Sequence, residues 1–174
     1  ALHLDGARIF NAIVHQNEAS IEYGKIFDSI SICLSKGLGA PVGSVLVGSN
    51  EFIKKARRWR KVFGGGMRQA GYLAAAGIYA LEHHVERLAD DHKNAKLLSE
   101  ALAKKDFVSA ILGVETNIVI ATIGGKYTAA SFSAALKEKG ILAIAMTPTQ
   151  VRFVFHLDIT ESDLARTIDI LNTL

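Results

Sequence analysis

The first third of the chain alternates short apolar runs with a stretch of helical period. Residues 2–4 are the predicted end of a strand, residues 29–34 alternate small and apolar side chains, and residues 42–47 are almost wholly apolar. Residues 9–16 place their apolar side chains at helical spacing. Strands separated by helices are typical of an α/β fold. In residues 42–47 the one polar side chain is Ser44, so we expect this strand to be buried on both faces, as central strands are.

Glycine-rich stretches punctuate the region that follows these strands. Residues 35–41 are a predicted loop, and Asn50 is the predicted N-cap of a helix that residues 64–66, all glycine, bring to an end. A further helix is predicted over about residues 68–83. Its many Ala and Gly side chains let neighbouring elements approach closely, so we expect it to be packed on all sides.

The second half of the chain carries clear amphipathic patterns. Apolar side chains from Val85 to Leu102 recur at three- and four-residue spacing, which predicts one helix of about twenty residues. Thr160 followed by Asp163 indicates a capping box at the start of the last helix. The other predicted elements are strands at 116–123, 141–146 and 151–155, a helix at 128–139 carrying Phe132 and Leu136 on one face, and an apolar stripe of Leu164, Ile168, Leu171 and Leu174 on the last helix.

These patterns divide the chain into three parts. We expect residues 1–84 to be part of a large α/β domain, residues 85–105 to be a connecting helix, and residues 106–174 to form a small α+β subdomain. A strand and a turn stand within the first five residues, with no earlier element for the strand to pair with. We therefore expect that a natural N-terminal part of the same chain is missing.

Composition indicates which partners and which cellular compartment to expect. Apolar residues make up 49% of the chain and the mean hydropathy is +0.23, so we expect apolar surface that is covered by another subunit or by the missing part. No apolar run approaches the length of about 18 residues that a membrane span needs, so no membrane partner is expected. The lone Cys33 excludes a disulfide framework and favours a reducing, cytoplasmic compartment.

One basic run accounts for much of the net charge of +3. Residues 54–61 contain six Lys and Arg side chains around Trp59. Such a run can form a nucleic-acid patch, although a solvated helix face is the simpler interpretation and the one we adopt. No nucleic-acid partner is therefore expected.

Three local features carry candidate chemistry. Asp5 ends a strand, where a carboxylate points into the ligand crevice of an α/β sheet. Lys36 lies in a glycine loop between apolar strands, and burial there would lower its pKa and free the amine for Schiff-base formation. The third feature is the glycine run at 64–66 followed by Arg68, which suits an anion such as phosphate. A lysine, an acid for a ring nitrogen and a phosphate site together match the needs of pyridoxal phosphate.

The same three segments resemble the threonine aldolase family. The resemblance rests on HLDGARIFNA at residues 3–12, CLSKGLGAPVGS at 33–44 and GGGMRQAG at 64–71, in that order, and on Val151-Arg152-Phe153 near the end. It spans the whole chain but only about the C-terminal half of a family member. It implies the C-terminal part of a fold-type I pyridoxal-phosphate transferase-like fold.

The resemblance also implies a role for each candidate residue. Asp5 would pair with the pyridinium nitrogen, and Lys36 would hold the cofactor as a Schiff base. Arg8, beside the cofactor, would clamp the substrate carboxylate together with Arg152. Arg68 would reach the cofactor phosphate, which we expect to belong to a neighbouring subunit, and Lys61 would lie near the same interface. His3 shares a strand face with Asp5 and is at most an indirect partner, and no catalytic base is identifiable.

The implied reaction is cleavage of L-threonine or L-allo-threonine to glycine and acetaldehyde, in a homo-oligomer, a dimer of dimers with active sites at the interface. Another pyridoxal-phosphate lyase acting on an aromatic or sulfur-containing amino acid would keep the same cofactor residues. A nucleic-acid-binding module built on residues 54–61, or a non-catalytic scaffold, are the remaining alternatives.

Overall fold

The computed structural model describes all residues, 1–174, as an α/β chain of two compact units, Ala1–Leu88 and Ala89–Leu174. The units divide inside the range 85–105 that the sequence assigns to a connecting helix. In chain order the elements are β1 (His3–Gly6), α1 (Ile9–Gln16), α2 (Ser20–Ile26), β2 (Ser29–Cys33), β3 (Ser44–Gly48), α3 (Asn50–Val62), α4 (Gly71–His83), α5 (Leu88–Leu102), β4 (Val108–Ile111), β5 (Ile118–Ile123), α6 (Ala129–Glu138), β6 (Ile144–Ala145), β7 (Gln150–Val154) and α7 (Glu161–Thr173).

The first unit is built on a three-stranded sheet in the order β1-β2-β3. β1 runs parallel to β2, with Asp5 opposite Ser31, whereas β3 runs antiparallel to β2. Because successive side chains of a strand point to opposite faces, this register sorts the sheet into two faces. One face carries His3, Asp5, Ser29, Ser31 and Cys33.

The opposite face of this sheet contributes to the apolar core of the first unit. Leu34, Leu38 and Leu88 are buried there. Further members come from α1, from β2 and the loop after it, and from α4 and the residues after it, namely Phe10, Val14, Ile32, Ala40, Ala80 and Val85. The residues on both sides of Lys36 thus form part of the core, which anchors the loop in which Lys36 lies.

Two burial predictions for the first unit are wrong. β3 is an edge strand whose residues are all exposed, because no further strand of this sheet pairs with it. α4 is not packed on all sides either, since Tyr72 is 92% exposed and Ile78 and Tyr79 are more than half exposed. The apolar composition of both elements therefore leaves exposed apolar surface on this unit.

The helix boundaries of the first unit also differ in detail from the prediction. Ser49, not Asn50, caps α3, because its Oγ accepts a hydrogen bond from the Phe52 backbone N–H at 3.2 Å. α4 begins at Gly71, three residues later than expected. The short helix α2, which has no buried residue, was absent from the prediction because an exposed helix lacks an apolar stripe to reveal it.

The second unit is an antiparallel sheet in the order β4-β5-β7-β6. One face of this sheet packs against α5, α6 and α7 around side chains that are fully buried, among them Leu98, Val119, Phe132 and Leu171. β4 is an addition to the prediction, and the strand expected at 141–146 shrinks to the two residues of β6.

Local signals in the second unit are confirmed. Thr160 Oγ1 accepts from the Asp163 backbone N–H while the Asp163 carboxylate accepts from the Thr160 N–H, which is the predicted capping box. Leu164 and Leu171 of the predicted stripe are buried. α5 has fifteen residues instead of about twenty. No helix of the chain combines the length and the apolar character needed to cross a membrane.

Candidate active site

The polar face of the first sheet gathers the predicted acid and its neighbours. Asp5 lies beside Ser31 on the parallel pair β1–β2, and Cys33 follows on the same face at the end of β2. Adjacent strands lie about 4.8 Å apart, so these side chains form one continuous polar surface. The carboxyl ends of both strands meet at one sheet edge, which is where ligands bind in α/β sheets.

The Asp5 carboxylate is accessible and locally oriented. It is exposed, and its Oδ1 accepts a hydrogen bond from the Ala7 backbone N–H at 3.2 Å. Two residues earlier, His3 Nδ1 lies 2.8 Å from Ser29 Oγ across the same strand pair. The prediction that His3 shares the Asp5 face is therefore confirmed, and the hydroxyl of Ser29 is its partner.

Lys36 lies in a tight turn directly after β2. The Gly39 N–H donates to the Lys36 carbonyl at 2.9 Å, and Gly39 has a φ of +69° that suits glycine. The Lys36 side chain is exposed, so the predicted burial of this lysine is wrong for this chain. The core around it buries Leu34, Leu38 and Ala40 instead, and residues 1–174 alone do not desolvate the amine.

The Cys33 thiol, at the end of β2, has a lowered pKa. Partial burial raises the pKa of the Cys33 thiol. Hydrogen bonds to Ser35 and Ser44 and the positive charge of Lys36 outweigh this effect, so the pKa lies below its ordinary value. Cys33 stands at the end of β2 on the Asp5 face of the sheet, and the charge of Lys36 is one of the influences on its thiol.

Arg8 follows β1 and caps the first helix of the chain. Its carbonyl accepts from the Asn11 and Ala12 backbone N–H groups as α1 begins. Its side chain is half-buried, and the buried Nε has no hydrogen-bond partner among the protein atoms. Since a buried polar group without a partner costs about 1–3 kcal/mol, this guanidinium is suited to an anionic ligand.

The glycine run does not form the predicted anion site. The Gly64 N–H donates to the Lys61 carbonyl and the Gly65 N–H donates to the Arg60 carbonyl, so these groups close the C-terminus of α3. α4 begins only at Gly71, and a helix C-terminus carries the negative end of the dipole. What remains available for an anion is the exposed side chains of Lys61 and Arg68.

The rest of the basic run lies on α3 as expected for a solvated helix face. All six Lys and Arg side chains of residues 54–61 are exposed, and Lys55 pairs with Glu51 at 2.7 Å. Trp59 stacks on Phe63 with ring centroids 5.8 Å apart, although both rings remain more than half exposed.

Arg152 belongs to the second unit, on β7. Its register partners are Ile120 on β5 and Ile144 on β6, so no acidic residue lies directly opposite Arg152 on either neighbouring strand. Like Arg8, it has a buried Nε without a hydrogen-bond partner in a half-buried side chain. Across the chain, no group of three or more His, Cys, Asp or Glu side chains is placed to hold a metal ion.

Comparisons with known proteins show which family the chain is similar to. The family described as beta-eliminating lyase matches residues 1–126. A low specificity L-threonine aldolase from Escherichia coli O157:H7 is 47% identical over 95% of this chain and 48% of its own length. The low-specificity L-threonine aldolase 1 of Arabidopsis thaliana is 45% identical over 96% of this chain and 48% of its own length.

A solved structure supports the fold. A Listeria monocytogenes protein described as a candidate L-allo-threonine aldolase superposes with a TM-score of 0.79, at 22% identity, over 99% of this chain and 52% of its own length. This likeness confirms the predicted fold class, the fold-type I architecture. The chain spans about half the length of the curated relatives it matches. By the match over residues 1–126, the chain belongs to the beta-eliminating lyase family.

Proposed function

We propose that the whole protein is a pyridoxal-phosphate-dependent lyase that cleaves L-threonine or L-allo-threonine to glycine and acetaldehyde. The observation that carries the proposal is the position of Asp5 near the carboxyl end of β1 and of Lys36 in the turn that follows the parallel neighbouring strand β2. The names of the relatives support threonine as the substrate and an aldolase as the reaction, and membership of the beta-eliminating lyase family supports a lyase.

The side chains of the first unit fit the cofactor. Pyridoxal phosphate needs an amine for its aldehyde, an acid for its ring nitrogen and cations for its phosphate. Lys36 supplies an accessible amine, and Asp5 supplies an exposed carboxylate whose Oδ2 is not used by the Ala7 N–H. The phosphate would be held by the exposed cations Arg68 and Lys61, acting on the cofactor of a neighbouring subunit.

The cofactor, when bound, supplies a ring that accepts the electron pair left on Cα as the Cα–Cβ bond breaks. The task of Asp5 is to keep a proton on the ring nitrogen, since an anionic carboxylate stabilises the cationic form. Lys36 must be neutral to act as a nucleophile, so we propose that residues covering its amine in the whole protein desolvate it.

The arginines serve the substrate in this proposal. A guanidinium binds a carboxylate with two parallel hydrogen bonds, which fixes the amino acid in one orientation. The buried, unpartnered Nε atoms of Arg8 and Arg152 support this role, because a bound carboxylate would satisfy them. The residue that takes the proton from the β-hydroxyl group is left unassigned.

Exposed apolar surface supports a homo-oligomer, with a dimer of dimers as the proposed form. Val45 and Val47 on β3 and Trp59 and Phe63 near the end of α3 are exposed, and exposed apolar patches of this kind mark interfaces. We propose that another subunit, or residues additional to these in the whole protein, cover them. The free Cys33 is consistent with a reducing compartment such as the cytoplasm.

A product assay on the whole protein tests the reaction. L-Threonine should yield glycine and acetaldehyde in equal amounts, and Asp5→Asn should lower kcat because its amide cannot hold the ring nitrogen cationic. Glu138→Gln, which neutralises an exposed carboxylate on α6 of the second unit, is the matched control and should keep full activity. Full activity of Asp5→Asn would contradict the proposed role of the acid.

The family description favours one second candidate, elimination of a leaving group from the β-carbon of an amino acid. Such a lyase would use the same Asp5 and Lys36 but would release pyruvate and ammonia. Incubation with an aromatic or sulfur-containing amino acid and measurement of pyruvate separates the two reactions. Elimination would be favoured if the aromatic or sulfur-containing amino acid yielded pyruvate and threonine yielded no glycine.

A further inference from the structure

The turn that carries Lys36 is held at its flanks by its own backbone. The Ala40 N–H donates to the Leu34 carbonyl at 3.0 Å, and the Leu34 N–H donates to the Gly43 carbonyl at 3.0 Å. The Gly39 N–H in turn donates to the Lys36 carbonyl, so the carbonyls of Leu34, Lys36 and Gly43 all accept hydrogen bonds from within the loop. The carbonyl of Leu38, at the middle of the turn, takes its hydrogen bond from outside the loop.

That external donor is His84. Its Nδ1 lies 2.7 Å from the Leu38 carbonyl oxygen, although the two residues are 46 positions apart in the sequence. A carbonyl only accepts hydrogen bonds, so Nδ1 carries the hydrogen and donates. The bond is partly buried, and the Leu38 side chain beside it is 3% exposed.

The imidazole of His84 is oriented by its surroundings. His84 is the C-cap residue of α4, and its backbone N–H donates to the Ala80 carbonyl at 2.9 Å. Its ring meets Tyr79 edge to face, with centroids 5.4 Å apart and an interplanar angle of 84°. Both the backbone and the ring of His84 are therefore held by contacts within α4, independently of the hydrogen bond to the loop.

The neighbouring His83 behaves differently. It is exposed, its ring stacks flat on Tyr79 at 4.1 Å, and its Nδ1 lies 3.0 Å from the carbonyl of Tyr79 in its own helix. His83 thus interacts with the end of α4, as a histidine in the last turn of a helix commonly does. Of this adjacent pair, it is His84 that reaches the Lys36 turn.

We propose that His84 is a positioning residue that holds the Leu38 carbonyl and thereby fixes the turn that presents the Lys36 amine. The inference rests on the proposed function, because it assigns His84 an effect on how Lys36 meets pyridoxal phosphate. His84 touches neither the cofactor nor the substrate in this account and acts through the loop alone. Loss of its hydrogen bond leaves the amine attached to a looser turn.

The first measurement needs no cofactor. Hydrogen exchange of the Gly39 and Ala40 amides is followed in the cofactor-free whole protein for the wild type, His84→Ala, His84→Asn and His83→Ala. His84→Ala should accelerate exchange at these amides by roughly two- to tenfold, the factor that one hydrogen bond provides. The Asn variant places an amide N–H₂ near the position of Nδ1 and should restore protection, and His83→Ala should match the wild type.

The second measurement follows the absorbance band of lysine-bound pyridoxal phosphate during titration with the cofactor. We expect the apparent Kd for the cofactor to rise by a similar two- to tenfold in His84→Ala, with recovery in His84→Asn. Unchanged exchange in His84→Ala, or an Asn variant that behaves like Ala, would overturn the role of His84. A wild-type protein without the band would instead contradict the proposed function, so the two failures are distinguishable.

Discussion

Replacing Gly37 by Ala would place a methyl group inside the packing that holds the Lys36 turn. A Cβ built at position 37 lies 2.9 Å from Leu88 Cδ2 and 3.2 Å from Asn11 Oδ1. The first distance is shorter than carbon–carbon contact allows, and Leu88 is fully buried, so its side chain has little room to move. Overpacking of this kind costs about 1–3 kcal/mol, and we expect Gly37→Ala to lower the free energy of unfolding by that amount.

Urea denaturation with a double-mutant cycle measures the effect and its cause. Leu88→Ala alone should cost about 2–5 kcal/mol, as expected for a large buried side chain. The double variant should lose less than the sum of the two single variants, because the shortened side chain makes room for the new methyl group. The coupling energy is expected to be about 0.5–3 kcal/mol.

Gly24→Ala is the control for this cycle. Gly24 lies in the exposed helix α2, and a Cβ there meets nothing within 4 Å. Ala should therefore stabilise this helix by about 0.5–1 kcal/mol. A neutral Gly37→Ala, or strict additivity with Leu88→Ala, would refute the packing argument for the turn.

Three further outcomes follow from other contacts. Alkylation of the Cys33 thiol should need a higher pH in Lys36→Ala than in the wild type, because the Lys36 charge helps to lower the pKa of the thiol; an unchanged pH profile of the alkylation rate would contradict their proximity. The Thr160 hydrogen bonds hold the pKa of Asp163 below its ordinary value. They therefore stabilise the folded state fully above the unfolded carboxyl pKa of about 3.9, and this stabilisation is lost as the pH falls through the lower folded pKa. Denaturant titrations from pH 5 downward should accordingly show a smaller loss of stability for Asp163→Asn than for the wild type, and an equal loss would argue against the capping box. Phe132→Ala should cost about 3–5 kcal/mol in a thermal or urea melt, since this ring is fully buried among Phe107 and Tyr127, and a loss below about 1 kcal/mol would mean that the core is not packed as described.

Features decided by neighbours in the sequence were predictable. The capping box of Thr160 and Asp163 joins residues three positions apart, and the stripe containing Leu164 and Leu171 repeats within one helix. The parallel pairing of β1 with β2 was also accessible, because strands joined by helical segments run parallel and place their carboxyl ends, near Asp5 and before Lys36, at one edge of the sheet.

Burial was harder to predict, because apolar composition does not say what covers a residue. Val45 and Val47 have the composition of a central strand but lie exposed at the edge of the sheet. Lys36 was expected to be buried for the same reason, and its neighbours Leu34 and Leu38 are the residues that meet the core. In both places the prediction described an environment that residues 1–174 do not supply alone.

The glycine run and His84 show two other limits. The sequence predicted that glycines 64–66 end α3, but only the folded structure shows that the N–H groups of Gly64 and Gly65 are used by the carbonyls of Lys61 and Arg60. The contact of His84 with Leu38 spans 46 positions, and no local pattern distinguishes it from His83. Such long-range hydrogen bonds depend on the packed fold and leave no periodic signal in the sequence.

The attachment of pyridoxal phosphate to Lys36 can be measured directly by mass spectrometry. The whole protein is incubated with pyridoxal phosphate, reduced with borohydride and digested. We expect a phosphopyridoxyl group on the peptide that carries Lys36 and no labelled peptide from Lys36→Ala. The control Lys104→Ala removes an exposed lysine of the second unit and should be labelled as the wild type is. Labelling at another lysine, with Lys36 unmodified, would contradict the account.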